Sequence, residues 1–361
     1  MLIQKFTTLF KDVTRQGTKI PKEEYLTHGK NIIIDQGQDI IAGYTNCEDG
    51  IFKKIPAIVF GDHTRIIKYV DTPFFLGADG VKVLKCTDKN ANYRYLYYAL
   101  KNAHIPNTGY NRHFKWLKEI TINYSDKNRQ NDIVNILDKL EYIIKMKSQE
   151  LDKFDELIKA RFVEMFGDPQ DSKSKWEKST IEKCCTLKSG KTLPRNIENE
   201  GGNIPYVKVK DMNSLENTTY ITTSTRFVSD KTANKSIFPV GTVIFPKRGG
   251  AIGTNKKRLT KVPICADLNI MGVIPDNTRI SSYYLFEYFN MVDLNTLNNG
   301  SSVPQINNKD INPLNINIPP LSLQNEFANF VHQVDKSKVA VQKSLDETQK
   351  LFDSLMQEYF G

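Results

Sequence analysis

The strongest candidate for chemistry is Gly61-Asp62-His63-Thr64-Arg65, which follows directly on the apolar run Ala57-Ile58-Val59-Phe60. An Asp beside a His at a strand end could act as a general base with its orienting carboxylate. The chain offers its own control. Its second half carries a matching run, Thr242-Val243-Ile244-Phe245, followed by Pro246-Lys247-Arg248-Gly249-Gly250. A shared active site would repeat its base, yet His63 gives way to basic and small residues. The loop therefore reads as one that contacts a ligand rather than one that catalyses.

Other catalytic or cofactor patterns fail on spacing. Gly249-Gly250-Ala251-Ile252-Gly253 is not followed by the Gly-Lys-Ser/Thr of a phosphate loop. Asn317-Ile318-Pro319-Pro320-Leu321 is only superficially similar to the Asn-Pro-Pro-Tyr of adenine methyltransferases; its register is wrong, and its prolines mark a turn before a helix. The five cysteines (Cys47, Cys86, Cys184, Cys185, Cys265) are odd in number and lack a C-x-x-C pair. That argues against a disulfide framework or a zinc site and for reduced, buried thiols in a cytosolic protein.

What remains is a set of side chains suited to a polyanion. In the second half these are Lys208, Lys210, Lys247, Arg248, Asn255, Lys256, Lys257 and Arg258, placed at strand ends and in one loop. In the first half they are Lys19, His63, Arg65 and the run Asn107-Thr108-Gly109-Tyr110-Asn111-Arg112-His113, with Asn111 and Arg112 the foremost. Arg, Lys, Asn and Gln read base edges in the major groove, while other Lys hold phosphates.

Charge supports that partner. The net +9 is split unevenly: residues 1–130 hold 20 Lys+Arg against 13 Asp+Glu, and residues 169–323 hold the same numbers. Residues 131–168 hold 6 against 9, and residues 324–361 hold 4 against 6. Two basic modules on mildly acidic struts imply two contacts with nucleic acid. The apolar stretches, such as Asn31-Ile32-Ile33-Ile34, are far short of a membrane span, and the N-terminus lacks the apolar core of a secretory signal. A cytoplasmic protein is expected.

The elements that position these residues are written twice. Residues 117–167 and 311–361 align without a gap at an offset of 194, with 11 identities in 51 positions. Gln130-Asn131-Asp132 falls on Gln324-Asn325-Glu326, Leu157 on Leu351, and Glu164-Met165-Phe166-Gly167 on Glu358-Tyr359-Phe360-Gly361. In the first copy Ile133, Leu137, Leu140, Ile144, Lys147, Leu151, Phe154, Ile158, Phe162 and Met165 step by three and four, a coiled-coil seam. In the second, Phe327, Val331, Val334, Lys338, Val341, Leu345, Thr348, Phe352, Leu355 and Tyr359 hold the seam. Lys147 falls opposite an apolar residue of the other copy, as does Lys338, so the two helices are expected to pack on each other. The first should end at Phe166-Gly167-Asp168-Pro169, with Gly as C-cap and Pro as stop. About 36 residues at ~1.5 Å each make a rod of roughly 54 Å.

Before each helix lies a mixed module. Runs at Ile32–Ile34, Ala57–Phe60 and Val81–Leu84, and at Tyr206–Val209, Thr242–Phe245 and Met271–Ile274, predict strands; Tyr93–Lys101 and Ser282–Asn290 predict short helices. Gly17–Pro21 matches Gly190–Pro194, Ala78-Asp79 matches Ala266-Asp267, and Tyr95-Leu96-Tyr97 matches Tyr284-Leu285-Phe286, while the intervening loops diverge. A shared frame with different loops suits two readers of different sequences.

In this order of module, helix, module, helix, the chain resembles the specificity subunits of type I restriction-modification enzymes. The resemblance is carried by Lys247–Gly253 after a strand, by Phe60–Arg65 with Leu76-Gly77-Ala78-Asp79-Gly80-Val81, and by Ile316 to Gln324 leading into the terminal helix. One departure is Ile122-Asn123-Tyr124-Ser125 where the second half has its Pro-Pro turn. The resemblance implies an α+β protein with target-recognition domains at 1–125 and 169–318 and long antiparallel helices at 126–168 and 319–361. Each domain would read half of a bipartite DNA site, and the helices would fix the distance between halves. They would also dock two methyltransferase subunits, with restriction-translocase subunits completing the assembly. The chain would then hold no catalytic residue; S-adenosylmethionine, ATP and magnesium would belong to its partners. Two alternatives stay open: a specificity subunit of a type IIB-like system, and a coiled-coil adaptor whose basic modules bind protein.

Overall fold

The structure, a computed structural model, describes residues 2–77, 79–168, 173–234, 236–297 and 303–361. Pro169, the expected helix stop, and Ala78 lie outside the described residues. The chain divides into two compact units, one of residues 1–149 and 342–361, the other of residues 150–341. Each of the two C-terminal helical segments of the repeat, residues 126–168 and 319–361, contributes to both units.

In the first unit a four-stranded antiparallel sheet runs in the order Phe10–Asp12, Val81–Cys86, Ala57–Gly61, Ile67–Val70. A three-stranded sheet, Gly43–Thr45, Asn31–Ile34, Phe74–Leu76, has its last pair parallel. Leu2–Lys5 pairs with Thr121–Tyr124. The second unit repeats the plan. Its main sheet runs Cys185–Ser189, Ile270–Pro275, Val243–Pro246, Arg258–Thr260, with Tyr220–Ile221 added at the edge. Its smaller sheet, Phe227–Val228, Ile204–Val207, Cys265–Ala266, again has its last pair parallel, and Glu177–Thr180 pairs with Asn315–Ile318.

The central strands show why the apolar runs are uninterrupted. Side chains alternate across a strand, and here both faces are covered. Ile58 and Phe60 enter the core built on the helix Tyr93–Asn102, while Ala57 and Val59 enter a second core with Phe74 and Leu76. In the other unit Val243 and Phe245 face the core built on the helix Ser282–Met291, and Ile244 faces Val207, Phe238 and Ile264. The strand expected to reach Val209 stops at Val207. The Asp211 carboxylate accepts the Lys208 N–H at 2.8 Å and turns the chain there.

The long helices are Lys127–Phe166 and Leu321–Phe360. The first ends on Gly167 at φ +75°, whose N–H donates to Val163 O at 2.8 Å, a left-handed glycine cap. In the first unit Ile133 and Leu137 share a core with Phe352, Met356 and Tyr359. In the second, Ile158, Phe162 and Phe166 share one with Phe327, Val331 and Val334. Arg161 pairs with Glu326 at 3.4 Å and Asp155 with Lys338 at 2.6 Å; one number rises as the other falls, so the helices run antiparallel. Near its end the second seam passes through buried Met356, while Leu355 is only half-buried, the drift expected of 3.6 residues per turn against a 3.5-residue repeat.

Both helices enter by one device, despite the departure at Ser125. Gln130 Nε2 donates to Ser125 O and Gln324 Nε2 to Pro319 O, each at 2.8 Å. Tyr95 and Tyr284, on the two short helices, donate their hydroxyls to Asn123 O and Asn317 O. One expectation fails locally: Cys47 is exposed, whereas Cys184 and Cys265 are buried.

Candidate nucleic-acid interface

In the first unit the strand Ala57–Gly61 runs out into the loop that carries Asp62 and His63. The Asp62 carboxylate is buried and accepts the Phe114 N–H at 2.7 Å, and its backbone carbonyl accepts the His113 N–H at 2.8 Å. It is therefore spent on holding a second loop in place and does not orient His63. The imidazole of His63 instead stacks on Tyr110, ring centroids 4.8 Å apart and planes 10° from parallel. Its Nδ1 finds no partner among the described residues, and Tyr110 is 87% exposed. Arg65 takes a left-handed turn, φ +63°, and its guanidinium donates to Ile105 O at 3.1 Å. Asn111 folds back on Thr108 O, whereas Arg112 is exposed beside it. Lys19 pairs with Asp79 at 2.7 Å on the surface, which holds that carboxyl below its usual range.

The second unit builds the same two-loop arrangement with other side chains. Lys247 O accepts the Ile306 N–H at 3.0 Å, and Pro304 O accepts the Gly249 N–H at 2.8 Å, so residues 247–249 are laced to residues 304–306. Gly249 sits at φ +67°, which favours glycine. Among the described residues, a side chain at Gly249 or Gly250 would meet nothing within 4 Å. Arg248 is exposed, and its Nε donates to Gln305 Oε1 at 3.2 Å.

The structure turns several expected readers inward. Lys257 is 4% exposed and donates to Val292 O at 2.6 Å and to Asn255 Oδ1 at 2.7 Å; burial pushes its pKa down to about 8. Arg258 donates to Asn217 O at 2.5 Å, Lys257 O at 2.8 Å and Met212 O at 3.1 Å, and burial lowers its pKa as well. Lys247 is buried with its ammonium on Ser189 Oγ at 2.7 Å, its pKa again lowered by burial. A buried cation must keep its carbonyl or hydroxyl partners or leave them unpaired, so these three hold loops rather than project from them. Asn255, in the left-handed region at φ +52°, accepts the Leu294 N–H at 2.9 Å. Lys256 ties down Asn213, and Lys208 is half-buried against Glu198 at 2.5 Å. Lys210 is exposed.

Of the expected residues, His63, Arg112 and Arg248 thus remain presented at the paired loops, with Tyr110 and Gln305 beside them. Sequence reasoning missed Gln305. Its partner Arg248 lies 57 residues away, and only the backbone lacing brings them together.

Comparison with known proteins agrees with this construction. The family model described as type I restriction modification DNA specificity domain matches twice, over residues 8–153 and 173–348, each match covering a module and much of its helix. The specificity subunit of the Escherichia coli type I restriction enzyme EcoR124I/EcoR124II is 24% identical over 330 residues, 84% of this chain and 79% of that one. The crystal structure of a type I restriction-modification S subunit from M. genitalium shares the fold at a TM-score of 0.63 and 19% identity, covering 100% of this chain and 96% of that one. A second solved chain, from work on complex assembly and conformational transition of the type I R-M system, aligns at a TM-score of 0.57 and 14% identity over 99% of this chain and 97% of its own. No helix among the described residues is long and apolar enough to cross a membrane. With two family matches, one on each half of a chain that repeats its own fold, the protein belongs to the DNA-specificity family of type I restriction-modification systems.

Proposed function

We infer that each unit reads one half of a bipartite DNA sequence. The chain would thereby direct adenine methylation, and ATP-dependent cleavage, by the other subunits of a type I restriction-modification complex. The observation that carries this is the repetition of one frame with exchanged side chains. At the same strand end, laced to the same second loop, stand Asp62, His63 and Tyr110 in one unit and Lys247, Arg248 and Gln305 in the other. Backbone lacing positions; exposed polar side chains specify. Arg112, exposed in the loop of Tyr110, and Lys210, exposed elsewhere on the second unit, suit phosphate contacts.

The chain is non-catalytic in this reading. Asp62 serves the Phe114 N–H, and its counterpart Lys247 cannot replace it as an orienting carboxylate. S-adenosylmethionine, ATP and magnesium then belong to partner subunits, and the complex works on chromosomal DNA in the cytoplasm. Leu157 and Leu351, the same position in the two helix copies, are 46% and 51% exposed. Paired exposed leucines on pseudo-equivalent helices favour two copies of one docking partner, as two methyltransferase subunits would be.

The test is to assemble the complex in cells and map methylated adenines in the genomic DNA. The expected motif has two short specified halves around an unspecified middle. A single continuous motif, or methylation without sequence preference, overturns the reading.

A further inference from the structure

We propose that Arg248 reads a guanine in one half-site through its two terminal nitrogens, and that Gln305 is the positioning residue that aims it. The backbone of Arg248 is extended and held on both sides, by Lys247 O with the Ile306 N–H at 3.0 Å and by the Gly249 N–H with Pro304 O at 2.8 Å. The side chain is steered next. Its Nε donates to Gln305 Oε1 at 3.2 Å, and Gln305 Nε2 donates in turn to Asn307 Oδ1 at 2.6 Å. Asn307 is itself fixed, since its N–H donates to Asp310 Oδ2 at 2.8 Å in a reciprocal cap of the short helix that follows.

This relay sets the plane of the guanidinium. With Nε occupied, the two terminal nitrogens of this exposed side chain are left for a ligand, and among the described residues neither makes a hydrogen bond. The two residues that follow Arg248 carry no side chain, and among the described residues a Cβ at Gly249 or Gly250 would meet nothing within 4 Å. A guanidinium edge presents two parallel N–H donors, and O6 and N7 of guanine are the two acceptors in the major groove that match it. A phosphate needs no such aiming. A flexible lysine serves it, and Arg248 has already lost much of its side-chain freedom to Gln305. The planar acceptor gains most from that pre-organisation.

The proposal rests on the DNA-specificity reading, and the experiment separates the two. Complexes carrying wild-type chain, Arg248→Ala, Gln305→Ala or Gln305→Glu are assembled with their methyltransferase subunits, and their methylation motifs and non-specific DNA affinities are measured. Absence of any defined motif for the wild type sinks the DNA-specificity reading itself. If that motif is present, Arg248→Ala should release one G·C pair in one half-site, its discrimination falling from on the order of ten- to hundredfold to near onefold. The other half-site should be unchanged, which also shows that the variant folds. Gln305→Ala should weaken discrimination at the same pair several-fold at unchanged non-specific affinity. Gln305→Glu, whose carboxylate still accepts the Nε–H but cannot donate to Asn307 Oδ1, should recover part of it. A uniform loss of affinity across sequences, a change in both half-sites, or intact discrimination at that pair in either alanine variant overturns the proposal and leaves the broader reading standing.

Discussion

Gln130 Oε1 accepts the backbone N–H of Asn92 at 2.8 Å, tying the start of a long helix to the N-cap of the short helix Tyr93–Asn102. The copy 194 residues on does the same, since Gln324 Oε1 accepts the Ser281 N–H at 2.7 Å, and Ser281 caps Ser282–Met291. Both amides are buried, and each also donates to the carbonyl five residues before it. The glutamine repeated in the two copies is therefore a joint between module and helix. It fixes the angle at which the seam leaves the module.

Gln130→Ala should cost about 1–3 kcal/mol, because Ser125 O would be left buried and the Asn92 N–H part-buried, each without its side-chain partner. Urea unfolding of the full chain measures it. A midpoint equal to that of wild type would mean water replaces the amide and the joint is not structural.

The seam carries its own prediction. Phe162 is buried between Phe166, Tyr284 and Phe327, with ring centroids 5.1 to 5.4 Å from it. Phe162→Ala should cost about 3–5 kcal/mol through the cavity it leaves. Leu157→Ala, on the exposed side of the same helix, should change stability by no more than about 0.5 kcal/mol. Equal effects of the two substitutions would contradict a one-sided helix contact.

A pH dependence follows from Glu287, which lines a cavity of about 250 Å³ with Asp155, Asp335 and Lys338. Burial, with the nearby Asp155 and Asp335, raises its pKa from 4.5 to about 7 against the hydrogen bond from Asn290 and the pull of Lys338. The folded chain then holds a proton that the unfolded chain gives up near pH 4.5, so stability falls as pH rises from about 4.5 to about 7. Lys257 acts elsewhere: its lowered pKa makes stability rise with pH above about 8. Melting midpoints of wild type and Glu287→Gln at pH 5 and pH 7.5 should show a larger fall for the wild type. Parallel curves would rule out Glu287 as the titrating group.

The repeat, the seam and the central strands were legible because they are local. A spacing of three and four, or an apolar run between turns, needs no knowledge of the partner. The direction of a lysine is not local. Lys257 is turned inward by Val292 O, 35 residues away, and Lys247 by Ser189, 58 residues before it. Nothing in the run Lys256-Lys257-Arg258 distinguishes the buried cation from its neighbours. For the same reason Asp62-His63 reads as a dyad by adjacency, whereas one carboxylate oxygen and the backbone carbonyl of Asp62 are engaged by a loop some 50 residues on.

His63 tests the independence of the two readers. His63→Ala in the assembled complex should relax one half-site, the one that Arg248→Ala leaves intact, and Tyr110→Ala should act at the same position because the ring stack sets the imidazole. Methyl transfer at sites that satisfy the remaining bases should keep its rate if His63 only reads DNA, because its imidazole is set by the Tyr110 ring and not by the Asp62 carboxylate. Abolished transfer at every site would instead give His63 a catalytic role.

The last prediction separates spacing from reading. Each long helix passes from one unit to the other, the first after Gln149 and the second after Val341. Four residues inserted at each of these points are close to one turn of 3.6, so they lengthen each rod by about 6 Å while leaving the packing inside each unit nearly in phase. The two insertions must be made together, because the helices are antiparallel and a single one would slide one seam against the other. At ~3.4 Å per base pair the added length corresponds to one or two base pairs. The methylation motif of the doubly inserted chain should keep both half-site sequences and lengthen only its unspecified middle. If the half-site bases change while the middle keeps its length, the helices are not the ruler, and base identity and spacing are set by the same residues.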